Sequence, residues 1–178
     1  SQIDLTWTDN ASNQDRFKIE RSPDNTIKRF LAQSTSAKSY TTNFPLTENP
    51  ISEGGNWING KAVGLDWANV ATTPGLAIGT QTGSGGYDDS TALLTGTWGA
   101  DQHVKAVVWV GNPNQAYSQE VEIRLRSSLS AHRCAGYEIN FSVVGGQEEI
   151  VRWNGPLGDF TLLSGTGARV RNGDVIEA

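Results

Sequence analysis

Three stretches of the chain alternate side chains that can do chemistry with side chains that fill a core. In VKAVVWV, Lys105, Val107 and Trp109 fall on one side of an extended backbone and Val104, Ala106, Val108 and Val110 on the other. In EVEIRLRS, Glu120, Glu122, Arg124 and Arg126 oppose Val121, Ile123 and Leu125, and in YEINFSV, Glu138, Asn140 and Ser142 oppose Tyr137, Ile139, Phe141 and Val143. If these strands are neighbours, one face gathers Trp109, Glu122, Arg124, Arg126, Glu138 and Asn140, with Arg152 beside them. An indole plane can stack on a sugar ring while amide, carboxylate and guanidinium groups bond its hydroxyls. The same pattern also fits a solvated sheet surface whose Glu and Arg side chains pair across the ladder, each pair contributing about 0.2–1 kcal/mol. Trp153, in the turn signature Trp153-Asn154-Gly155-Pro156, offers a second platform at a loop tip.

Catalysis asks for a convergent set, and only fragments of one are present. Glu120 and Glu122 are spaced like a glycosidase pair on one strand, but Arg124 and Arg126 would keep both ionised, against the raised pKa a general acid requires. His103 and His132 stand on or near turns. Asp88 and Asp89, with Ser90 and the glycine-rich approach GTQTGSGGY, supply the hard oxygens a calcium ion takes, and equally a polar turn. Cys134 is alone, so neither an internal disulfide nor a Cys/His metal framework can be written.

The elements that must carry these residues are strands. The chain has 178 residues, 20 glycines and six tryptophans, and its β-branched residues lie in short alternating runs. QIDLTWTD and RFKIERS read as a hairpin, and KRFLAQ as a third strand. NFPLTENPISEGGNWING is a loop that delivers Trp57 to the next element. Strands are then expected in KAVGLDWANV, GLAIGTQ, STALLTGTW, HVKAVVWVG, QEVEIRLRSS, GYEINFSVV, EEIVRWNG and FTLLSGTG. No segment keeps a helical period over ten residues. The expected class is all-β, an antiparallel two-sheet sandwich. A net charge of -5 without a Lys/Arg cluster argues against nucleic acid as a partner, and no apolar run is long enough to span a membrane.

Two resemblances follow. Leu5-Thr6-Trp7-Thr8-Asp9-Asn10 and Phe17-Lys18-Ile19-Glu20-Arg21-Ser22 resemble the opening strands of bacterial fibronectin type III domains, which makes residues 1–43 a partial module of that kind. Phe44, Glu48-Asn49-Pro50 and Gly54-Gly55-Asn56-Trp57, with the later runs VEIRLRSS, GYEINFSV, IVRWNGPLGDFTLL and NGDVIEA, resemble a concanavalin A-like, laminin G-like jelly roll over residues 44–178. That family implies an extracellular module, secreted or on a cell or virion surface, which binds polysaccharide or a surface protein without catalysis. The alternatives are a structural subunit or decoration domain of a filament, phage particle or surface layer, and a polysaccharide lyase or glycoside hydrolase.

The absence of Met leads to the expectation of a processed or excised chain. Asn172-Gly173-Asp174 announces a turn and Val175-Ile176 a new strand. Against the family pattern this strand lacks partners, so the expectation is that the N-terminal strands or a neighbouring copy complete the sheet, unpaired edges being the route to self-association.

Overall fold

The structure is a computed structural model that describes residues 38–82, 89–111, 119–143 and 146–178. The hairpin and third strand expected within residues 1–37, and the fibronectin-like resemblance they carry, lie outside the described residues. The chain divides into two compact units, Ser1–Tyr40 with Trp98–Asp101 and Thr41–Thr97 with Gln102–Ala178. In the first, the Lys38 ammonium sits 4.2 Å from the centre of the Trp98 ring, a cation–π contact. The second carries every named strand.

That unit is all-β, with no α-helix among the described residues. Its strands are β1 (Trp57–Asn59), β2 (Val70–Thr73), β3 (Leu76–Gly79), β4 (Ala92–Leu94), β5 (Lys105–Val107), β6 (Glu120–Ser130), β7 (Arg133–Ser142), β8 (Glu148–Gly155), β9 (Phe160–Thr166) and β10 (Val175–Glu177). Strands β6 to β9 form an antiparallel meander, and three two-stranded antiparallel sheets pair β1 with β4, β2 with β3 and β5 with β10. The tail therefore has a partner within its own chain: Val175 lies opposite Val107, and Val104 and Ala178 exchange both backbone bonds, at 2.9 and 3.0 Å. This corrects the expectation of a strand without partners.

KAVGLDWANV is not one strand. Lys61–Val63 makes a single turn of 3-10 helix closed by Gly64 at φ 86°, and regular pairing starts only at Val70. A side chain at Gly64 would be strained in that conformation, and its Cβ would come 3.2 Å from the Ala131 Cβ at the β6–β7 turn. The turn delivers Leu65 and Trp67 to the interior.

The alternation of β6 and β7 sorts their side chains into two separate cores. Ile123, Ile139 and Phe141 pack with Val108, Val110 and Ile176 of the β5–β10 layer. On the opposite face Cys134, Val151 and Trp153 pack with Leu65 and Trp67. Full burial of such side chains contributes about 1.5–3 kcal/mol each.

A β-bulge lets one strand serve both cores. Pairing runs from Leu125 opposite Tyr137 directly to Ser128 opposite Ala135, which leaves Arg126 and Ser127 against Gly136 alone. Arg126 takes φ 50°, and the Ser127 hydroxyl donates to the Leu125 carbonyl at 3.1 Å. Strict alternation would put Leu129 on the side of Leu125. With the extra residue, Leu125 packs in the first core and Leu129 in the second.

The segment from Glu48 to Asn59 is tied by its own acids. The Glu48 carboxylate accepts the amides of Ser52 and Glu53 at 3.0 and 2.9 Å. Glu53 accepts the Trp57 indole N–H at 2.7 Å and the Thr42 hydroxyl. Asn59 donates from Nδ2 to the carbonyl of buried Ile51 at 2.7 Å. The Glu-Asn-Pro and Gly-Gly-Asn-Trp stretches thus act locally as backbone clamps.

Candidate binding face

The charged ladder of β6 and β7 points inward. Register places Arg124 opposite Glu138 and Glu122 opposite Asn140, and the face they share is roofed by Trp67. The Arg124 guanidinium lies 2.6 Å from Glu138 and 2.9 Å from Glu122, with side-chain exposures of 6%, 6% and 15% in the order Arg124, Glu138, Glu122. It stacks 4.4 Å from the centre of the Trp67 ring and reaches the Cys134 sulfur at 3.5 Å. Trp153 stands edge-on to Trp67 at 4.9 Å and donates its indole N–H to Glu138 at 2.6 Å. Period-two alternation placed these residues on one side of the sheet, but it carries no information on what covers that side. The expectation of a water-facing surface is corrected here for Glu122, Arg124, Glu138 and Trp153.

Two carboxylates share one guanidinium in this cluster. Burial raises Glu122 well above the ordinary glutamate range, opposed by Arg124 and reinforced by Glu138 and Asp89. Burial also works against the Arg124 charge, but Glu122 and Glu138 outweigh it and hold the guanidinium firmly protonated. The Cys134 thiol is pushed up, first by burial. Chemically this is an enclosed ionic centre, and among its three charged side chains Glu122 is the most exposed.

Trp109 lies elsewhere, on the outer side of the β5–β10 layer. Inward-facing Val108 and Val110 are buried, whereas Val107, Trp109 and Val175 are 71%, 51% and 55% exposed. Val107 and Val175 are direct cross-strand partners, so they form one apolar strip that continues toward the indole. The ring rests against Gly111, where a Cβ would come 2.7 Å from it, so glycine leaves the room the indole takes. Asn172 accepts the Val110 amide at 2.9 Å, which pins the turn before β10 beside Trp109. At the far end Glu177 accepts from His103 at 2.9 Å and pairs with Lys105 at 3.4 Å. Those two partners hold its carboxyl below the usual range. From Lys105 to Trp109 this face runs about 13 Å at 3.3 Å per residue.

The remaining candidates are dispersed. Arg126 donates its backbone amide to Gln102 at 2.6 Å, and exposed Arg152 bonds Asn154 at 3.1 Å. The Asn140 side-chain oxygen Oδ1 is buried without a hydrogen-bond partner among the described residues. Asp88 lies outside the described residues. The Asp89 carbonyl accepts the Ala68 amide at 2.8 Å, and no cluster of three metal-ligating side chains occurs among the described residues. Sequence reasoning did not include Val175 in the face, because its place beside Val107 depends on a pairing between distant segments. No family model, curated protein or solved structure matches the chain.

Proposed function

We propose that the protein is a non-catalytic extracellular recognition module, a concanavalin A-like, laminin G-like β-sandwich that binds a polysaccharide or a glycosylated surface partner through the outer face of β5 and β10. The observation that carries this reading is the half-exposed Trp109 ring. A large indole resting against glycine, continued by an apolar strip and ending in a Lys105–Glu177–His103 group, has the make-up of a sugar site, with an exposed ring and polar groups at its margin. The non-catalytic assignment is supported by the β6 carboxylates, since Glu122 is engaged by Arg124 inside the fold and is not presented in a cleft with Glu120.

The test is a glycan array probed with the wild-type chain, Trp109→Ala and Trp109→Phe. Binding to at least one polysaccharide is expected, weakened tenfold or more by the alanine and largely kept by the phenylalanine. If the wild-type chain binds none, or if Trp109→Ala binds equally well, the reading fails.

A further inference from the structure

Strand β10 pairs with β5 along one edge, and no strand among the described residues joins the other. Val104 and Ala178 exchange both backbone bonds, so alternation along the antiparallel ladder makes Ala106 and Ile176 the next exchanging pair. The amides and carbonyls of Val175 and Glu177 therefore point away from β5, and they have no hydrogen-bond partner among the described residues. They border an open groove of about 410 Å³, lined also by Phe141, Glu148, Arg169 and Val170. Its floor is the first-core face of the four-stranded sheet. Phe141 is buried there, whereas Ile150, which lies opposite Ile139 and so on the same face, is 40% exposed. The β5–β10 layer thus leaves part of β8 uncovered. One end of the groove is bounded by the crossing from β9 to β10, where the Val170 amide bonds the Ser142 carbonyl at 3.1 Å.

We propose that this groove takes up an extended, acid-bearing peptide segment of another protein, which adds to β10 as an antiparallel strand. Open amides and carbonyls that recur at every second residue match a peptide backbone better than a sugar chain. At three residues the edge is too short for pairing with another sheet, whereas a short peptide also gains the floor beneath it. The lining selects its charge. Glu148 accepts the Thr166 hydroxyl at 2.9 Å, Asp174 accepts the Arg171 amide at 2.8 Å, and Glu177 is paired with Lys105 and His103. Exposed Arg169 has no ion-pair or hydrogen-bond partner among the described residues, so its guanidinium is the charge left open to a partner. In the antiparallel register, peptide residues opposite Val175 and Glu177 exchange backbone bonds with them. The residue between turns its side chain onto the sheet, as Ile176 does, and a β-branched apolar residue suits that place. The C-terminal end of the peptide then reaches the start of β10, beside the segment that carries Arg169, and the acid belongs there.

The probe is the amidated, fluorescein-labelled peptide Ser-Thr-Val-Thr-Asp, titrated by fluorescence anisotropy against the full chain up to about 1 mM. Saturable binding is expected. Replacing the peptide's aspartate by lysine should weaken it about tenfold or more, and Arg169→Glu should reverse that preference. Glu177→Pro removes an outward amide without removing a bond to β5, and should abolish binding with an unchanged circular dichroism spectrum. Glu177→Ala, which keeps the amide, should still bind. Trp109→Ala should bind the peptide like the wild type, which separates this proposal from the glycan reading. The absence of saturable binding, or binding indifferent to Glu177→Pro and to the charge exchange, overturns the proposal. Polysaccharide binding that depends on Arg169, in a chain that ignores the peptide, would overturn it in favour of a glycan in the groove.

Discussion

Arg124 and Glu138, paired across β6 and β7, form a 2.6 Å ion pair whose two side chains are each 6% exposed. The pair sits beneath the Trp67 ring and shares Glu138 with the Trp153 indole, so its removal would leave charge where water cannot reach it.

Arg124→Ala is accordingly expected to lower unfolding free energy by about 3–5 kcal/mol, because Glu138 and Glu122 lose their counter-charge while staying buried. Combining Glu122→Leu, Arg124→Met and Glu138→Gln should recover most of the loss, since the glutamine still offers an oxygen to Trp153. Urea titration of the three proteins measures both effects. Equal stability of Arg124→Ala and wild type would mean that the cluster is hydrated.

Glu122 makes stability depend on pH. In the folded chain burial keeps its proton bound to a higher pH than in the unfolded chain, so unfolding releases a proton. The resulting stabilisation is complete below the ordinary glutamate range and is lost as pH rises through the raised value. The melting temperature of the wild type relative to Glu122→Gln should therefore fall as pH rises above the ordinary glutamate range. A constant difference throughout that rise would contradict it.

Deleting Ser127 tests the bulge. With one residue fewer, Leu125 and Leu129 stand three apart, so unbroken alternation still puts Leu129 opposite Cys134 and in the second core. An alanine inserted between Ser128 and Leu129 instead turns Leu129 to the side of Leu125, away from Trp67 and Cys134, at a cost of about 1.5–3 kcal/mol for its lost burial alone. The deletion should cost far less, and the urea midpoints of the two variants measure the contrast.

Much of the sheet was legible in the sequence because period-two alternation is a local signal. Val121, Ile123 and Leu125, and Ile139 and Phe141, announce one face without knowledge of the rest of the chain. The cover over the other face was not legible. Leu65 and Trp67 reach it from a glycine-broken segment with no strand period, and nothing near Arg124 signals their arrival. The same holds for Leu129, whose side changes with one unpaired residue, and for Val175, whose neighbour is set by a distant pairing. The exposure of Trp109 was readable because the run from Val104 to Val110 alternates cleanly.

The middle of the β6–β7 ladder meets a greasy lining on one side and an ion cage on the other, so the two strands carry a form of error detection. A slip of one residue would drive Arg124 and Glu138 against Val108 and Ile176 and deliver Ile123 and Ile139 to the vacated cage, a fault registered on both sides at once. A sheet with one wet face catches such a mistake only once.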